Sequence, residues 1–354
     1  MTGPSPDLLR RGEGGDPSAQ IALGRHYEAQ KDVRMARGWF SRAAKAGSVE
    51  AMRLLAINLL SRDPIMGADG VGIIRMAAHR GDAHAAHICA LLAAQDINLD
   101  NRWEIAIACL RDAADRGWEP ARSELHLLTG SARGGGHAPE KFDAAAFVSP
   151  RPLEAIIENP RISIIRECLQ PEACDWLMTA CRPRLQRSAV YDPQTGGNRV
   201  EGARSNSQVA FDVLNASLVI MMLRARIEAS LNAPRTKLEL TTLLHYDVGE
   251  EFTPHYDYFD PANPTYAREI ARRGQRIATV LIYLNDDFEG GETEFPKIGL
   301  RHKGRKGDAL LFWNVDAAGA PDPLSFHAGR PPTRGEKWVI SQWIRTEGAQ
   351  DSPG

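Results

Sequence analysis

The first third of the chain repeats one pattern of apolar, polar and small residues. The block AAKAG at residues 43–47 recurs as AAHRG at 77–81 and as AADRG at 113–117, at intervals of about 35 residues. A repeat of this length is typical of stacked helix pairs, and glycine suits the left-handed residue that ends a helix. The pattern therefore predicts an α-solenoid of helix pairs over residues 1–130.

Local signals within this region agree with helix pairs. Asp16 precedes Pro17 as a helix N-cap precedes a first-turn proline, and Asp32 stands before a helical run that carries Trp39 and Phe40 on one face. The region resembles the Sel1-like subclass of tetratricopeptide repeats, with about three repeats. That resemblance implies a surface that binds a protein or peptide partner, without naming the partner.

The pattern changes after residue 130. Residues 131–160 are rich in glycine and proline, which predicts a linker. Short apolar segments and polar turns then alternate over 161–346, before a tail at 347–354. Strands are predicted at 162–165, 238–246, 277–284, 309–315 and 338–344, and helices at 171–182 and 213–231. The predicted fold class is α+β multidomain, with a β-sandwich or jelly roll and supporting helices after the solenoid.

Composition narrows the function classes. The chain has 354 residues, 43% of them hydrophobic, and 43 basic against 45 acidic side chains give a formal net charge of −2. This balance disfavours a nucleic-acid or anionic-membrane partner, because neither would be attracted over a distance. The five cysteines form no disulfide framework, and no apolar run is long enough to span a bilayer. The expected location is the cytoplasm.

A candidate metal site lies within the predicted β region. His255 and Asp257 are two residues apart, so in a strand they point to the same side, and His327 follows 70 residues after Asp257. Two imidazoles and one carboxylate leave open positions on Fe(II) for a chelating cosubstrate and O₂. A histidine and an aspartate that merely flank a surface strand are the alternative. The following Lys337 favours the metal site, since a cation suits a dicarboxylate cosubstrate.

An ordered series of motifs surrounds these residues. In sequence order it reads YDVG at 246–249, PHYD at 254–257, RIAT at 276–279, YLN at 283–285, GGETEFP at 290–296, GDA at 307–309, HAG at 327–329 and KWV at 337–339. In this order and spacing, residues 160–346 resemble the prolyl 4-hydroxylase branch of the Fe(II)/2-oxoglutarate dioxygenases. The resemblance implies a double-stranded β-helix, and Fe(II), 2-oxoglutarate and O₂ as cofactors, with ascorbate as a candidate reductant.

The resemblance also implies a role for individual positions, catalytic for the first four. The implied iron ligands are His255, Asp257 and His327, and the implied partner of the distal 2-oxoglutarate carboxylate is Lys337. Further positions implied to bind the cosubstrate or to line its pocket are Tyr246, Thr279, Tyr283 and Trp343. Tyr283 and Trp343 have a second interpretation as ordinary core residues.

Two positions depart from the family pattern. Phe252 stands where many prolyl hydroxylases carry a tyrosine, and Arg345 stands where many carry a histidine. Both changes weaken the case for proline as the target. Arg204 begins a segment that resembles the Arg-Thr-Ser motif on the substrate side of the family, with a simple turn as the equal alternative. The loop at 258–273 is either a lid over substrate or a solvated loop.

The favoured hypothesis is a dioxygenase that hydroxylates a residue, prolyl by the family resemblance, in a protein or peptide that the repeats help to recruit. The reaction implied converts 2-oxoglutarate and O₂ to succinate and CO₂ while a substrate C–H bond is hydroxylated. Two alternatives stay open. The first is the same chemistry on a free amino acid or other small molecule, and the second is a non-catalytic repeat scaffold or sensor.

Overall fold

The computed structural model describes residues 3–62, 67–96, 98–130, 142–188, 190–192, 197–199 and 204–346. Two compact units divide the chain, one that contains the N-terminal helices and one that contains the strands. The predicted boundaries, 1–130, 131–160, 161–346 and 347–354, stay a prediction, and residues 131–141 and 347–354 lie outside the described residues.

The N-terminal unit consists of consecutive α-helices joined by short turns. Their bounds are α1 Pro6–Glu13, α2 Pro17–Ala29, α3 Val33–Lys45, α4 Val49–Arg62, α5 Gly67–His79, α6 Ala83–Gln95, α7 Arg102–Asp115 and α8 Glu119–Thr129. The predicted helical hairpin repeats are therefore present. No helix in the described part of the chain is both long and apolar enough to cross a bilayer.

Each repeated glycine ends a helix. Gly47, Gly81 and Gly117 follow α3, α5 and α7, and their φ angles are 94°, 99° and 90°. These angles lie in the left-handed region, which costs an L side chain but not glycine. The repeated alanines before each glycine are buried or nearly so, which lets neighbouring helices approach closely.

The second unit contains two main antiparallel sheets. The larger has eight strands in the order β1-β2-β13-β9-β16-β7-β6-β3, and the smaller has four in the order β12-β11-β14-β8. The strands of the larger sheet are β1 Glu154–Ile157, β2 Ile162–Ile165, β3 Gln186–Arg187, β6 Ser207–Phe211, β7 Thr241–Tyr246, β9 Arg276–Tyr283, β13 Ala309–Trp313 and β16 Lys337–Arg345. The smaller sheet contains β8 Phe252–His255, β11 Thr293–Phe295, β12 Leu300–His302 and β14 His327–Gly329.

Two two-stranded antiparallel sheets and four α-helices also belong to the described part of this unit. The sheets pair β4 Val190–Asp192 with β5 Gly197–Arg199, and β10 Glu289–Gly290 with β15 Pro332–Arg334. The helices are α9 Ala145–Val148, α10 Pro171–Cys181, α11 Leu218–Leu231 and α12 Pro264–Arg273.

The strand order gives the predicted double-stranded β-helix. From β7 onward the chain crosses repeatedly between the two sheets. The strands β7, β9, β13 and β16 lie together in the larger sheet, and β8, β11, β12 and β14 form the smaller one. Buried aromatic and aliphatic side chains of both sheets form a common core, with Phe295 of β11 against Phe312 of β13 at 5.2 Å between ring centroids. This is the packing of a jelly roll.

Two element predictions need correction. The helix predicted at 213–231 begins only at Leu218, because the Asp212 side chain accepts hydrogen bonds from the backbone N–H groups of Leu214 and Asn215 and holds a turn there. The segment 258–273, predicted to be a loop, contains α12. Asn263 caps that helix by accepting from the Thr265 N–H, ahead of Pro264 at its first position.

Candidate metal centre and adjoining cavity

Strand pairing brings His255, Asp257 and His327 together. His255 ends β8 and His327 begins β14, and the two residues are register partners across the smaller sheet. Asp257 follows two residues after His255. One nitrogen of each ring and one carboxylate oxygen lie within 4.8 Å of one another. The three side chains that the sequence proposes as metal ligands therefore lie close together in the described structure.

Hydrogen bonds fix which ring nitrogens face the aspartate. The His255 Nδ1 lies 2.8 Å from the Thr253 carbonyl oxygen, and the His327 Nδ1 lies 3.0 Å from the Ser325 carbonyl oxygen. A carbonyl oxygen only accepts, so each Nδ1 carries the proton and each Nε2 keeps its lone pair. The two Nε2 atoms lie 3.5 Å and 3.6 Å from the Asp257 oxygens. Two such nitrogens and a carboxylate oxygen suit Fe(II).

Asp257 is held as a buried carboxylate. Its Oδ2 accepts a hydrogen bond of 2.7 Å from the Thr279 hydroxyl, and Asn314 donates to the same hydroxyl at 3.0 Å. Burial opposes its ionisation, but the neighbouring His327 and His255 hold the pKa of the carboxyl well below its ordinary value. The carboxylate is thus ionised and held in a fixed orientation before any cation binds.

His327 is kept neutral by its surroundings. Its ring packs 4.6 Å from the Phe312 ring and 5.7 Å from the Phe295 ring, between centroids. Burial, and next the neighbouring His255, lower the pKa of His327 to about 4. At neutral pH its Nε2 is therefore an available lone pair, which is the form that binds a metal.

A cavity between the two sheets continues from these residues. Its wall includes all three side chains together with Tyr246, Thr293, Lys337 and Trp343. Lys337 lies on β16 and is the register partner of Tyr246 on β7, so both side chains enter the cavity from adjacent strands of the larger sheet. The structure thus brings the predicted cation to the same space as the candidate metal centre.

Lys337 is a buried cation that forms no ion pair within the described residues, although the nearby charge of Glu292 favours its charged form. It is only 3% exposed, and among the described residues no acceptor lies within hydrogen-bond distance of its ammonium. Its Nζ lies 5.3 Å from the Tyr246 ring centroid and 5.8 Å from the Tyr283 ring centroid. Burial lowers the pKa of Lys337 to about 8. A carboxylate bound in the cavity would supply the missing partner.

Asn285 fixes the backbone on both sides of Lys337. Its side-chain nitrogen donates to the Glu336 carbonyl at 2.7 Å, and its side-chain oxygen accepts from the Trp338 N–H at 2.9 Å. Asn285 is itself buried. The YLN motif therefore positions Lys337, a role that the sequence alone did not assign to the asparagine.

The other predicted residues have mixed placements. Tyr246 and Trp343 line the cavity, whereas Thr279 and Tyr283 are not part of its wall. Thr279 supports Asp257, as described above, and the Tyr283 hydroxyl shares a 2.8 Å hydrogen bond with the hydroxyl of Thr293, which does line the cavity. Sequence reasoning missed Thr293 and Asn314 as contributors, although Thr293 belongs to the GGETEFP motif.

A wider groove opens beside the candidate metal centre. It has a volume of about 530 Å³ and shares His255, Asp257, Phe252 and Trp343 with the inner cavity. The Phe252 ring stacks on the His255 ring with centroids 3.6 Å apart. The phenyl ring that departs from the family pattern therefore supports a candidate ligand directly.

Arg345, the second departure, is buried in an ion-pair network. Its guanidinium donates to Glu239 at 2.7 Å and to Glu269 of α12 at 3.1 Å. Glu239 also receives two hydrogen bonds from Arg276, whose guanidinium lies 3.7 Å from the Trp343 ring centroid. Glu239 was not singled out from the sequence, because only the fold reveals that it faces two arginines.

A second group of metal-binding side chain types occurs among the described residues. His245, Asp247 and Glu336 have ligand atoms within 4.8 Å of one another. Glu336, however, is hydrogen-bonded to His245 at 2.8 Å and forms a salt bridge with Arg182. The arginine already supplies the cation, so this cluster is an ion-pair network. As predicted from strand alternation, His245 lies away from the candidate metal centre.

Comparison with known proteins gives an independent result. Residues 241–345 match the profile of the 2OG-Fe(II) oxygenase superfamily. Prolyl 4-hydroxylase 1 of Arabidopsis thaliana is 38% identical over 207 aligned positions, which cover 54% of this chain and 71% of that protein. The solved structure of a viral collagen prolyl hydroxylase from Paramecium Bursaria Chlorella virus-1, in its 2OG complex, is 27% identical with a TM-score of 0.41, covering 52% of this chain and 95% of that one. A Sel1 repeat protein from Oxalobacter formigenes is 19% identical with a TM-score of 0.30, covering 37% of this chain and 55% of that one.

Proposed function

Because this chain belongs to the prolyl 4-hydroxylase family of 2OG-Fe(II) oxygenases, we propose that it hydroxylates a prolyl residue in a protein or peptide. The predictions of the family and of a 2-oxoglutarate-dependent Fe(II) dioxygenase are confirmed by this membership. Enzymes of the family require Fe(II), 2-oxoglutarate and O₂. The target residue and the role of each side chain in this chain are the content of the proposal.

In this proposal His255, Asp257 and His327 hold the iron. The two histidines present Nε2 lone pairs, and Asp257 presents a carboxylate that Thr279 keeps in position. When bound, iron with 2-oxoglutarate and O₂ supplies the oxidation that turns a substrate C–H bond into C–OH and leaves succinate and CO₂. The protein provides fixed ligands and a cavity whose wall also includes the apolar Leu244, Leu281 and Val339.

Lys337 and Tyr246 would hold the distal carboxylate of 2-oxoglutarate. The buried ammonium offers a charge-assisted hydrogen bond, and Tyr246 contributes a hydroxyl from the neighbouring strand. Thr293 lines the same cavity and is oriented by Tyr283. Trp343 forms the wall between this cavity and the groove. Thr279 would act indirectly, through Asp257.

One observation carries the proposal: a buried lysine with no ion pair within the described residues lines the same cavity as two histidines and an ionised aspartate. Each group alone has an ordinary explanation. Together, the metal-binding side chains suit the chelating end of a dicarboxylate, and the lysine suits its far carboxylate. The size of the adjoining groove favours a peptide over a free amino acid, because a single residue would fill a small part of about 530 Å³.

The test is coupled turnover on defined peptides. Protein loaded anaerobically with Fe(II) and 2-oxoglutarate is exposed to O₂ with proline-containing peptides, and succinate and a +16 Da product are measured together. We expect both with the wild-type chain and neither with His255→Ala. His79→Ala, at an exposed position that ends α5, is the matched control and should retain full turnover.

Other outcomes separate the alternatives. Hydroxylation of free proline or another free amino acid, with no peptide product, would favour the small-molecule enzyme. Iron and 2-oxoglutarate binding without turnover of any substrate would favour a scaffold or sensor. Cytoplasmic location and the use of ascorbate as reductant stay predictions.

We propose further that the helical repeats recruit the protein substrate. A groove of about 520 Å³ lies on α3, α4 and α5 and is lined by apolar side chains that include Leu55, Leu59 and Met76. Met76 is 49% exposed, which is a high value for a large apolar side chain. A peptide segment of the substrate would bury this surface.

A further inference from the structure

The groove beside the proposed iron site has more cations than anions. Among the residues that the structure describes, five arginines line it, whereas its carboxylates other than Asp257 are Glu239 and Glu269. The arginines are Arg204, Arg272, Arg273, Arg276 and Arg345. The formal charge of the whole chain is close to neutral, so the excess is a local property of this groove.

Four of these arginines form ion pairs with only two carboxylates. Glu239 accepts from Arg276 at 2.6 Å and 2.9 Å and from Arg345 at 2.7 Å. Although burial opposes it, Arg276 and then Arg345 hold the pKa of Glu239 near 2. This carboxylate is therefore ionised and has its acceptor capacity filled by residues of the chain itself.

Glu269 is shared more widely. It accepts from Arg345 and from Arg272, each at 3.1 Å, and it lies 3.6 Å from Arg273. The Arg272 side chain is 61% exposed and reaches the groove from α12. One carboxylate does not neutralise three guanidinium groups, so the α12 wall of the groove keeps a positive surplus.

Arg204 is a buried cation that forms no ion pair within the described residues, although the charge of Asp257 favours its charged form. It is 7% exposed, and its Nε donates to Asn206 at 2.8 Å, while within the described chain neither terminal nitrogen has a hydrogen-bond acceptor. Its guanidinium lies 4.7 Å from the Phe252 ring centroid and lines both the inner cavity and the groove. A buried guanidinium with free donors is costly unless an acceptor arrives with a ligand.

We propose that this groove selects protein or peptide segments with an acidic side chain close to the hydroxylated residue. The proposal rests on the proposed function and adds the charge of the substrate to it. A carboxylate matches the planar donor pair of a guanidinium, and low local dielectric strengthens that pairing in the groove. The aromatic rings of Phe252, Tyr258 and Phe259 line the same groove and would contact the apolar part of the segment.

The first test uses three peptides that share one proline scaffold. They differ only in the residues flanking proline, which are glutamate, glutamine or lysine. We expect kcat/KM for the glutamate peptide to exceed that for the glutamine peptide by about fivefold or more, with most of the difference in KM. The lysine peptide should be poorer still, and added salt should narrow the differences.

The second test reverses the charge at one position of the groove. In Arg272→Glu the preference should shift toward the lysine peptide by about fivefold or more, because the new carboxylate attracts lysine and repels glutamate. Arg268→Glu is the matched control, since Arg268 is an exposed residue of the same helix that does not line the groove. The control should keep the preference of the wild-type chain.

Binding measurements make the result independent of turnover. Affinity for the same peptides is measured by fluorescence anisotropy, with Mn(II) and 2-oxoglutarate in the site under anaerobic conditions. Equal binding of the glutamate and lysine peptides, or a preference unchanged in Arg272→Glu, would overturn the proposal even if proline is hydroxylated. If no peptide is hydroxylated but the glutamate peptide binds best, the proposed function fails while the charge preference stands. Displacement of the glutamate peptide by a single-stranded oligonucleotide at lower concentration would assign the groove to nucleic acid instead.

Discussion

At the scale of single residues, spacing along the chain predicted the proposed metal-binding set, because ligand chemistry restricts the residue types, although Asp257 lies just beyond the end of β8. His255 and Asp257 are two residues apart, and His327 becomes the register partner of His255. Spacing did not reveal the partners of these residues. That Thr279 supports Asp257 depends on β9 lying beside β13 and β16, which only the folded sheet determines.

Lys337→Ala tests the cosubstrate-binding role directly. Loss of one charge-assisted hydrogen bond in a buried site should raise the Kd for 2-oxoglutarate by about 10- to 100-fold. Isothermal titration of the metal-loaded protein under anaerobic conditions measures it. Lys306→Ala is the control, since Lys306 pairs with Asp175 outside the cavity wall, and its Kd should stay within about twofold. An unchanged Kd in Lys337→Ala would remove the lysine from the site.

The same lysine gives a pH dependence with a defined sign. Only the ammonium form pairs with a carboxylate, and burial lowers the pKa of Lys337 to about 8 in the ligand-free protein. Affinity for 2-oxoglutarate should therefore be constant well below pH 8 and fall about tenfold per pH unit well above it. The fall should be absent in Lys337→Ala. A Kd that is flat through pH 9 in the wild-type protein would contradict the assignment.

At the scale of secondary structure, strongly patterned segments were predicted well and their ends less well. The strand predicted at 338–344 is observed as β16, Lys337–Arg345, because its apolar side chains are buried along nearly its whole length. The helix α12 was missed because its prolines and arginines were taken as signs of a loop, although its residues have a strongly amphipathic helical pattern. Its Asn263-Pro264 start is a helix-capping signal that sequence analysis had available.

Asn285 tests how an element positions a functional side chain. Asn285→Ala removes the hydrogen bonds to the backbone of Glu336 and Trp338, which should lower the free energy of unfolding by about 2 kcal/mol. The start of β16 would then hold Lys337 less firmly, so the Kd for 2-oxoglutarate should rise by about threefold or more. Urea unfolding and calorimetric titration measure the two effects. Asn263→Ala, which removes the cap of α12, should cost stability without changing this Kd.

The repeated glycines give an element-scale prediction in the helical unit. Gly81→Ala places a Cβ at a φ of 99°, where no atom lies closer than 4.0 Å, so the cost comes from the backbone and should be about 1–2 kcal/mol. Gly38→Ala is the matched control inside α3, with nothing within 4 Å, and should stabilise by about 0.5–1 kcal/mol. Helical circular dichroism during urea unfolding distinguishes them. Equal effects of the two substitutions would contradict the role given to the repeated glycine.

At the scale of the whole chain, the sequence separated a repeat region from a catalytic region because their periodicities differ, with helical spacing in one and strand alternation in the other. The partner of the repeats did not follow, since an apolar groove on α3, α4 and α5 specifies burial but not sequence. The proposed roles, recruitment by the repeats and catalysis by the second region, are nevertheless testable, because the two regions should affect different kinetic parameters.

Met76→Glu places a charge in that groove at a half-exposed position, where little folding energy is at stake. If the repeats recruit the substrate, turnover of a short proline peptide should be unchanged, whereas hydroxylation of intact cellular proteins should fall by about fivefold or more. Mass spectrometry of +16 Da sites in cells that express wild-type, Met76→Glu or His255→Ala protein measures this. Met35→Glu is the control, since Met35 is 40% exposed on α3 and does not line the groove. Hydroxylation sites that depend on His255 but not on Met76 would show that the catalytic unit binds its substrates without the repeats. Equal losses of hydroxylation in Met35→Glu and Met76→Glu would assign the effect to lowered stability.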